Sequence, residues 1–535
     1  MDLRGYPGIR RLAADYSSGG NGLLDFFVGH PDNPEAWRQA IERAQKHPRK
    51  RAELCDALAG QQARRNAPGK AREAVERLRQ ADSVVVVTGQ QAGLFGGPLY
   101  TLLKAVTALK LAERIRRDIG VPAEAVFWIE SEDHDWNEVN LCQVLDADLQ
   151  PATISLPIPP GAGGVPVATI ALDESVGACI DRLAELLPPT EFTANLLTGL
   201  RSAYEQGRGM SDAFGRWLEF VLGESGLIVY DAADRATKSL VGRIFAHEAA
   251  FAGRTAQLAT EAGQRLVALG YHAQVEPASG HVSMFHLGVG REPIGVEDGR
   301  FVVEGHALDK KALAELAASN PAAFSPGVLL RPLVQDALFP TVAYVAGPNE
   351  LAYLAQLKLV YAEFGVPMPL MYPRASATLL DSAGVRFLAK YQVALEALQA
   401  RDDSTLNRLL ESQLPPAVER ALQDADSAVD ERMQALVEAL PSLDPTLEGA
   451  ARSVAGRLRH ELQGLRTKVI HAAKKRDETL RRQFGRTQAQ AFPGGHAQER
   501  STGFVYFLNR YGPALVDRLM SDLPIESGSH WILTI

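Results

Sequence analysis

Cysteine is scarce in this chain. There are three in 535 residues, Cys55, Cys142 and Cys179. They lie far apart, form no CxxC pair and give no disulfide framework, which fits a reducing compartment, and a cytoplasmic protein is expected. Long apolar runs are missing as well. The N-terminal stretch MDLRGYPGIRRLAADY has no hydrophobic leader segment, and no run is long enough to span a bilayer, so no membrane partner is expected. Basic charge is not in excess: 56 Lys and Arg stand against 64 Asp and Glu, for a net charge of −8. That balance argues against general nucleic-acid binding. Ligand-spaced histidines are lacking too. His134 has no second histidine or cysteine at zinc spacing, and His281 and His286, five apart in a strand pattern, fall on opposite faces, so no metal site is expected. No internal repeat is present. The remaining composition, 46% hydrophobic and 22% charged, is that of an ordinary globular chain with several domains or one elaborated domain.

The stretch Ser83 to Lys110, SVVVVTGQQAGLFGGPLYTLLKAVTALK, reads as a buried strand, a glycine-rich loop and a helix. Val84 to Val87 are too continuously apolar for a strand with one wet face and suit a central parallel strand. Thr88 to Gly97 holds Gly89, Gly93, Gly96 and Gly97, with Gln90 and Gln91 between them, two amides that both donate and accept. Pro98 fits the first turn of a helix whose apolar stripe is Leu99, Leu102, Leu103, Val106 and Leu109. Such a helix start offers free N–H groups to an anion. The pattern is neither GxGxxG nor a P-loop, and Lys104 lies too deep in the helix to be a P-loop lysine. An anion-binding loop and a packing loop in an α/β sheet fit this pattern equally well, and Gln90 and Gln91 tilt the reading towards binding.

Four further apolar segments follow: Ala125–Ile129, Leu227–Tyr230, Thr341–Val345 and Pro367–Met371. Each ends at a polar loop, and together with the first they predict an α/β fold with a doubly wound parallel sheet. Ala125–Ile129 runs directly into Glu130, Glu132, Asp133, His134 and Asp135. Ligands bind outside the carboxyl ends of strands in such sheets, so this acid cluster should face the glycine loop across one cleft. Its readings are a Mg²⁺–ATP anchor, a recognition site for an amino group, a general base, or a solvated turn that caps the next helix. Asp133, His134 and Asp135 are the candidate catalytic residues and Glu132 a candidate substrate ligand. Thr88, Gly89, Gln90, Gln91, Gly93, Gly96, Gly97 and Arg374 are the candidate ligands of a nucleotide cofactor. Asn349 and Glu350, in the turn after the fourth strand, are candidates for polar substrate groups.

Composition divides the chain as follows. Residues 1–140 carry N-terminal helices and the first half of the core. A β-rich then helical insertion spans 141–222, a core strand and helix 223–250, a second insertion 251–336, and the last core strands 337–376. Residues 377–497 are helical, with PSLDP at 441–445 as the turn between two long helices. Leu458, Leu462, Leu465, Val469 and Ala472 step by four and three, a coiled-coil seam. It suits an intramolecular pair or a homodimer equally. The basic stretch from Arg466 through Lys468, Lys474, Lys475 and Arg476 to Arg482 reads first as a solvated face. The aromatic tail, 498–535, should fold back on the core.

The runs VVVTGQQAGLFGGPLYTLLKA and VFWIESEDHDWNEVN resemble the cysteine-adding enzymes of bacillithiol biosynthesis, the BshC family of cysteine ligases. Two later runs, SPGVLLRPLVQDALFPTVAYVAGPNELAYLAQLKLVYAEFGVPMPLMYPR and QERSTGFVYFLNRYG, carry the likeness to Tyr511. The resemblance implies a Rossmann-like core related to class I aminoacyl-tRNA synthetases, two connecting insertions and a C-terminal coiled coil. It also implies amide formation between L-cysteine and glucosamine-malate. PRASAT would stand where the synthetases keep a KMSKS-type nucleotide loop, with Arg374 its sole cation, and the synthetase histidine signature is absent from GLFGGPLYT. Joining a free carboxylate to an amine needs an activated carbonyl, hence ATP with Mg²⁺ as the expected cofactor. Two rivals share the sheet and loop: a non-catalytic nucleotide-binding scaffold that works through its coiled coil, and a sugar-nucleotide transferase.

Overall fold

Alternate residues of the core strands face opposite ways, and both ways lead inward. Val84, Val86, Phe127 and Ile129 pack into one hydrophobic layer; Val85, Val87, Val126 and Trp128 pack into the other. A strand covered on both faces is apolar without alternation, which is why Val84 to Val87 read as a continuous run. Each fully buried valine is worth about 1.5–3 kcal/mol relative to an exposed one.

The computed structural model describes residues 1–535 except Ser279, His281, Asp298, Arg401, Leu414 and Asp477, and except the side chains of Asn21, His471 and residues 473–476. His281 of the histidine pair, the turn residue Asp298, and the side chains of Lys474, Lys475 and Arg476 in the basic stretch therefore lie outside the described residues. The chain divides into two units: Met1–Leu379 with Ala497–Leu533 and Ile535, and Leu380–His496 with Thr534.

The first unit is built on five parallel strands: β1 (Val84–Gln91), β2 (Ala123–Glu130), β3 (Ile228–Asp231), β4 (Thr341–Ala346) and β5 (Leu370–Pro373). Their order across the sheet is β5-β4-β1-β2-β3, and every pairing is parallel. The chain therefore moves outward from β1 in one direction and then returns to start on its other side. The reversal lies between β1 and β4, the place where open α/β sheets bind ligands. Helix α1 (Leu99–Ile119) follows β1 and is buried along most of its length. Ahead of β1 come helices Pro34–Lys46, Arg51–Arg65 and Gly69–Leu78. The first is capped by the Asn33 side chain, which accepts from the Glu35 N–H.

Several local expectations are corrected. β1 does not stop at Val87: its ladder with β2 continues to Gln91 opposite Glu130, so Thr88 to Gln91 are strand and not loop. Gly89 permits this, because a Cβ there would lie 2.7 Å from the Trp128 carbonyl oxygen. Between β2 and β3 the β-rich expectation reduces to one hairpin, Leu141–Leu145 with Pro151–Ser155. The prolines at 157, 159, 160 and 166 lack the N–H groups a longer ladder needs. Between β3 and β4 lie helix α2 (Arg235–Ala250), helix Arg254–Ala268 and two small antiparallel sheets. Helix α3 (Arg331–Leu338) then leads into β4. Leu351–Phe364 is not one helix but two, α4 (Pro348–Leu354) and α5 (Lys358–Phe364). At the break the buried Gln356 amide accepts from the Gln274 and Val275 N–H groups and donates to the Ala259 and Val275 carbonyls.

The second unit is helical. Helices α6 (Pro416–Ala439) and α7 (Leu447–Arg476) are joined by a short turn through Pro441 and Pro445 and pair with each other. Arg459 Nε on α7 donates to Asp430 Oδ1 on α6 at 2.6 Å. Val437, Ala451 and Ala455 are buried, whereas Leu458 and Leu465 of the expected seam are 40% and 49% exposed. Two helices cover one face of each other, and the packed face near the turn is this small-residue one.

Candidate functional site

A cavity of about 460 Å³ opens at the carboxyl ends of β1 and β4. This volume is within the usual range for small-molecule sites. Its floor is made by Gly89, Gln90 and Gln91 at the end of β1 and by Gly347, Pro348, Asn349 and Glu350 at the turn from β4 into α4. Lys104 and Tyr100 reach it from α1, one helical turn apart and hence on one face. Glu130, Asp133 and Glu138 line it from the end of β2 and the loop beyond; Arg291, Arg331, Arg374 and Arg500 come from four distant segments.

Lys104 crosses the sheet reversal. Its Nζ donates to the Gly89 carbonyl at 2.8 Å and to Gln90 Oε1 at 3.1 Å, and lies 2.5 Å from Glu350 Oε2. Glu350 also accepts from the Tyr344 hydroxyl and the Gly347 N–H, both at 2.7 Å. Burial by itself would raise the Glu350 pKa; the Lys104 ammonium and these donors outweigh it and hold the carboxyl below its ordinary value. One buried ion pair thus ties β1, α1 and the head of α4 together.

Asp133 is the acid of the cluster that faces this floor. Gln91 Nε2 donates to its Oδ2 at 3.0 Å, and Arg291 Nη1 and the His134 N–H donate to its Oδ1 at 3.1 and 2.8 Å. The glutamine-bearing end of β1 and the acid loop therefore do meet across one cleft. Arg291 is fixed in turn by Ser325 Oγ and the Pro326 carbonyl, and its guanidinium stacks 3.8 Å from the Phe285 ring centroid. His134 is exposed at the rim, its Nδ1 3.4 Å from Asp133 Oδ1.

Other candidate residues stand elsewhere. Glu132 is buried in an ion pair with Lys238 of α2 at 2.5 Å and does not line the cavity; burial pushes its carboxyl up to about 7 against the pull of that lysine. Asp135 caps the short helix Trp136–Val139 by accepting from the Asn137 N–H. Thr88 is buried, and its hydroxyl donates to the Val345 carbonyl inside the sheet. Gly93, Gly96 and Gly97 form a bend that the tail covers, not a cradle open to the cavity. The Leu99 N–H donates to the Thr502 carbonyl at 2.8 Å, the Phe504 N–H to the Gly97 carbonyl at 3.1 Å, and Pro98 bridges to Gly503. A Cβ on Gly96, whose φ is +97°, would sit 2.1 Å from Phe504. Arg374 lines the cavity, but both its Nη atoms are engaged by Glu499, at 2.9 and 2.7 Å.

Sequence reasoning named Glu130 in the acid cluster without a role, set Lys104 aside as too deep in its helix, and passed over Tyr100, Glu138, Arg291, Arg331 and Arg500. A lysine among the apolar residues of α1 was the one local signal available. The arginines come from segments whose meeting is a property of the tertiary fold.

Residues 4–375 match the family model described as "Bacillithiol biosynthesis BshC, N-terminal Rossmann-like domain", and 377–535 match "Bacillithiol biosynthesis BshC, C-terminal coiled-coil domain". The chain belongs to the BshC family. Among its curated relatives, the "Putative cysteine ligase BshC" of Salinibacter ruber is 33% identical over 98% of this chain and 96% of its own length. The proteins of that name from Chlorobaculum tepidum and Koribacter versatilis are 31% and 32% identical, over 96% and 97% of this chain and 95% and 96% of their own lengths. The likeness thus spans both units. Among the described residues no helix is long and apolar enough to cross a membrane, and no group of acids, histidines and cysteines could hold a metal ion.

Proposed function

We propose that this chain is a cysteine ligase of bacillithiol biosynthesis, forming an amide between the L-cysteine carboxylate and the amino group of glucosamine-malate. The observation that carries the reading is the meeting of Gln91, Asp133 and Arg291 over the cavity at the sheet reversal. It places polar groups fixed by three separate segments beside a space large enough for a small polar substrate.

The residues present suggest a division of labour. Asp133 accepts from three donors on three segments, which suits it to orient the groups around it. His134 stands beside it at the rim, its Nδ1 3.3 Å from Arg291 Nη1, and would help hold that guanidinium and Asp133 in place. Gly89, Gln90, Gln91, Asn349 and Glu350 line the space and would fix the substrate's polar groups. Asp135, as a helix cap, and Glu132, paired with Lys238, act at a remove from the chemistry.

Activation of the carboxylate is the chemistry that ATP would supply when bound. The bend Gly93–Gly97 does not fit its phosphates, because the tail already uses the backbone groups around Pro98. Arg374 is likewise committed to Glu499. No step is therefore derived through ATP.

The test is incubation of the full chain with ATP, L-cysteine and glucosamine-malate, following the new thiol product. Asp133→Asn should lower the rate about 100-fold or more while leaving circular dichroism unchanged, since orienting and proton-transfer groups typically contribute 10²–10⁴. Wild-type turnover in that variant would end the assignment of Asp133, and absence of product from the unmodified chain would end the ligase reading.

A further inference from the structure

The cavity's charges can be matched one by one. Five cations and four carboxylates line it. Lys104 pairs with Glu350, Arg291 with Asp133, Arg331 with Glu130, and Arg374 with Glu499, which stands behind it. Two charged groups are left over. Arg500, exposed on the short helix Gln498–Ser501, and Glu138, exposed on the helix Trp136–Val139, make no hydrogen bond or ion pair through their side chains among the described residues. They are of opposite sign and come from distant parts of the chain. Both act on the same phenol: Arg500 favours and Glu138 opposes ionisation of Tyr100, whose hydroxyl accepts from Gln90 Nε2 at 3.3 Å.

We infer that this cavity binds its substrate as a zwitterion, with the ammonium group against Glu138 and a carboxylate on Arg500. The four satisfied pairs are costly to break, because each would leave a partner uncompensated in a partly buried place. A ligand that uses the cavity without breaking them must supply one charge of each sign. An uncharged sugar meets neither free group, and a triphosphate brings several negative charges to one free cation. An amino-acid-like molecule matches both, and guanidinium–carboxylate geometry makes Arg500 the stronger anchor. The inference rests on the ligase reading for its choice of candidates. L-cysteine carries one of each; the amino-sugar malate carries one ammonium and two carboxylates, so one of its carboxylates would lie outside this pair.

The test is isothermal titration of the full chain with four probes: L-cysteine, cysteamine, which lacks the carboxylate, 3-mercaptopropionate, which lacks the ammonium, and glucosamine-malate. For the unmodified chain, L-cysteine should bind about tenfold or more tightly than cysteamine or 3-mercaptopropionate if it is the ligand, since a charge-assisted hydrogen bond contributes about 1.5–3 kcal/mol. Arg500→Gln should weaken that ligand about tenfold, and Arg500→Lys should restore part of the loss. If cysteine is the ligand, Arg500→Gln should also erase the preference over cysteamine, and Glu138→Gln the preference over 3-mercaptopropionate. Losses confined to glucosamine-malate would identify the acceptor as the zwitterion. Wild-type affinity for both natural candidates in both variants overturns the inference. Product formation separates the two claims. Turnover with unchanged KM in Arg500→Gln and Glu138→Gln would leave a ligase without this site. Charge-selective binding with no product would leave the site without a ligase.

Discussion

The glycine-rich bend at Gly93–Gly97 and the strand end at Gly89–Gln91 are neighbours in the chain and opposites in role. Both combine glycine with polar groups in the run that leads from β1 to α1. At the bend, the tail supplies the partners: the Thr502 carbonyl takes the Leu99 N–H, and Phe504 fills the space above Gly96. At the strand end, Gln90 and Gln91 point into a cavity whose far wall is built from other segments. The lesson is that a helix start offers no anion site once the rest of the fold has taken its donors, while a neighbouring strand end left uncovered can line a cavity.

Three substitutions would break or sharpen this contrast. The largest effect is expected at the strand end. Lys104→Met removes the counter-ion of buried Glu350 and should cost about 3–5 kcal/mol of stability, with ligand binding at the cavity lost, as read by urea denaturation and titration calorimetry. A variant of unchanged stability would show that the pair does not hold the reversal together. At the bend, Gly96→Ala should cost about 1–3 kcal/mol by overpacking, plus the strain of its positive φ, because the new methyl group meets Phe504. Its folded fraction should bind ligand normally. Lost binding with full stability would make the bend a site after all. The smallest effect is at the rim: Asp135→Ala removes a helix cap and should lower stability by about 1 kcal/mol, with kcat/KM within about twofold of the unmodified chain. A loss of activity near that expected for Asp133→Asn would return Asp135 to the chemistry.

Much of the core was legible because burial on both faces writes itself as unbroken valine, phenylalanine and isoleucine. The strand ends were less so. Thr88 to Gln91 looked like a loop because glycine and glutamine disfavour strands locally, yet the ladder to β2 carries them through as strand. Within the acid cluster, five similar residues separated into a cavity acid (Asp133), a rim imidazole (His134), a cap (Asp135), a buried ion-pair member (Glu132) and a strand-end acid paired with Arg331 (Glu130). Nothing in ESEDHDW separates the fates of Glu130, Glu132 and Asp133, since each depends on which cation lies opposite. The expected seam on α7 shows the same limit: its spacing predicts a stripe, while the partner helix decides which residues it covers.

The order of apolar segments and the glycine, proline and acid punctuation between them were enough to determine a parallel α/β sheet with polar loops at its strand ends. Short-range patterning dictates backbone geometry and burial, and those are local. Only the tertiary structure decided which of the polar residues there are free. Arg291, Arg331, Arg374 and Arg500 arrive from distant parts of the chain, and an ionic group's role is set by its nearest opposite charge, which one-dimensional spacing does not encode.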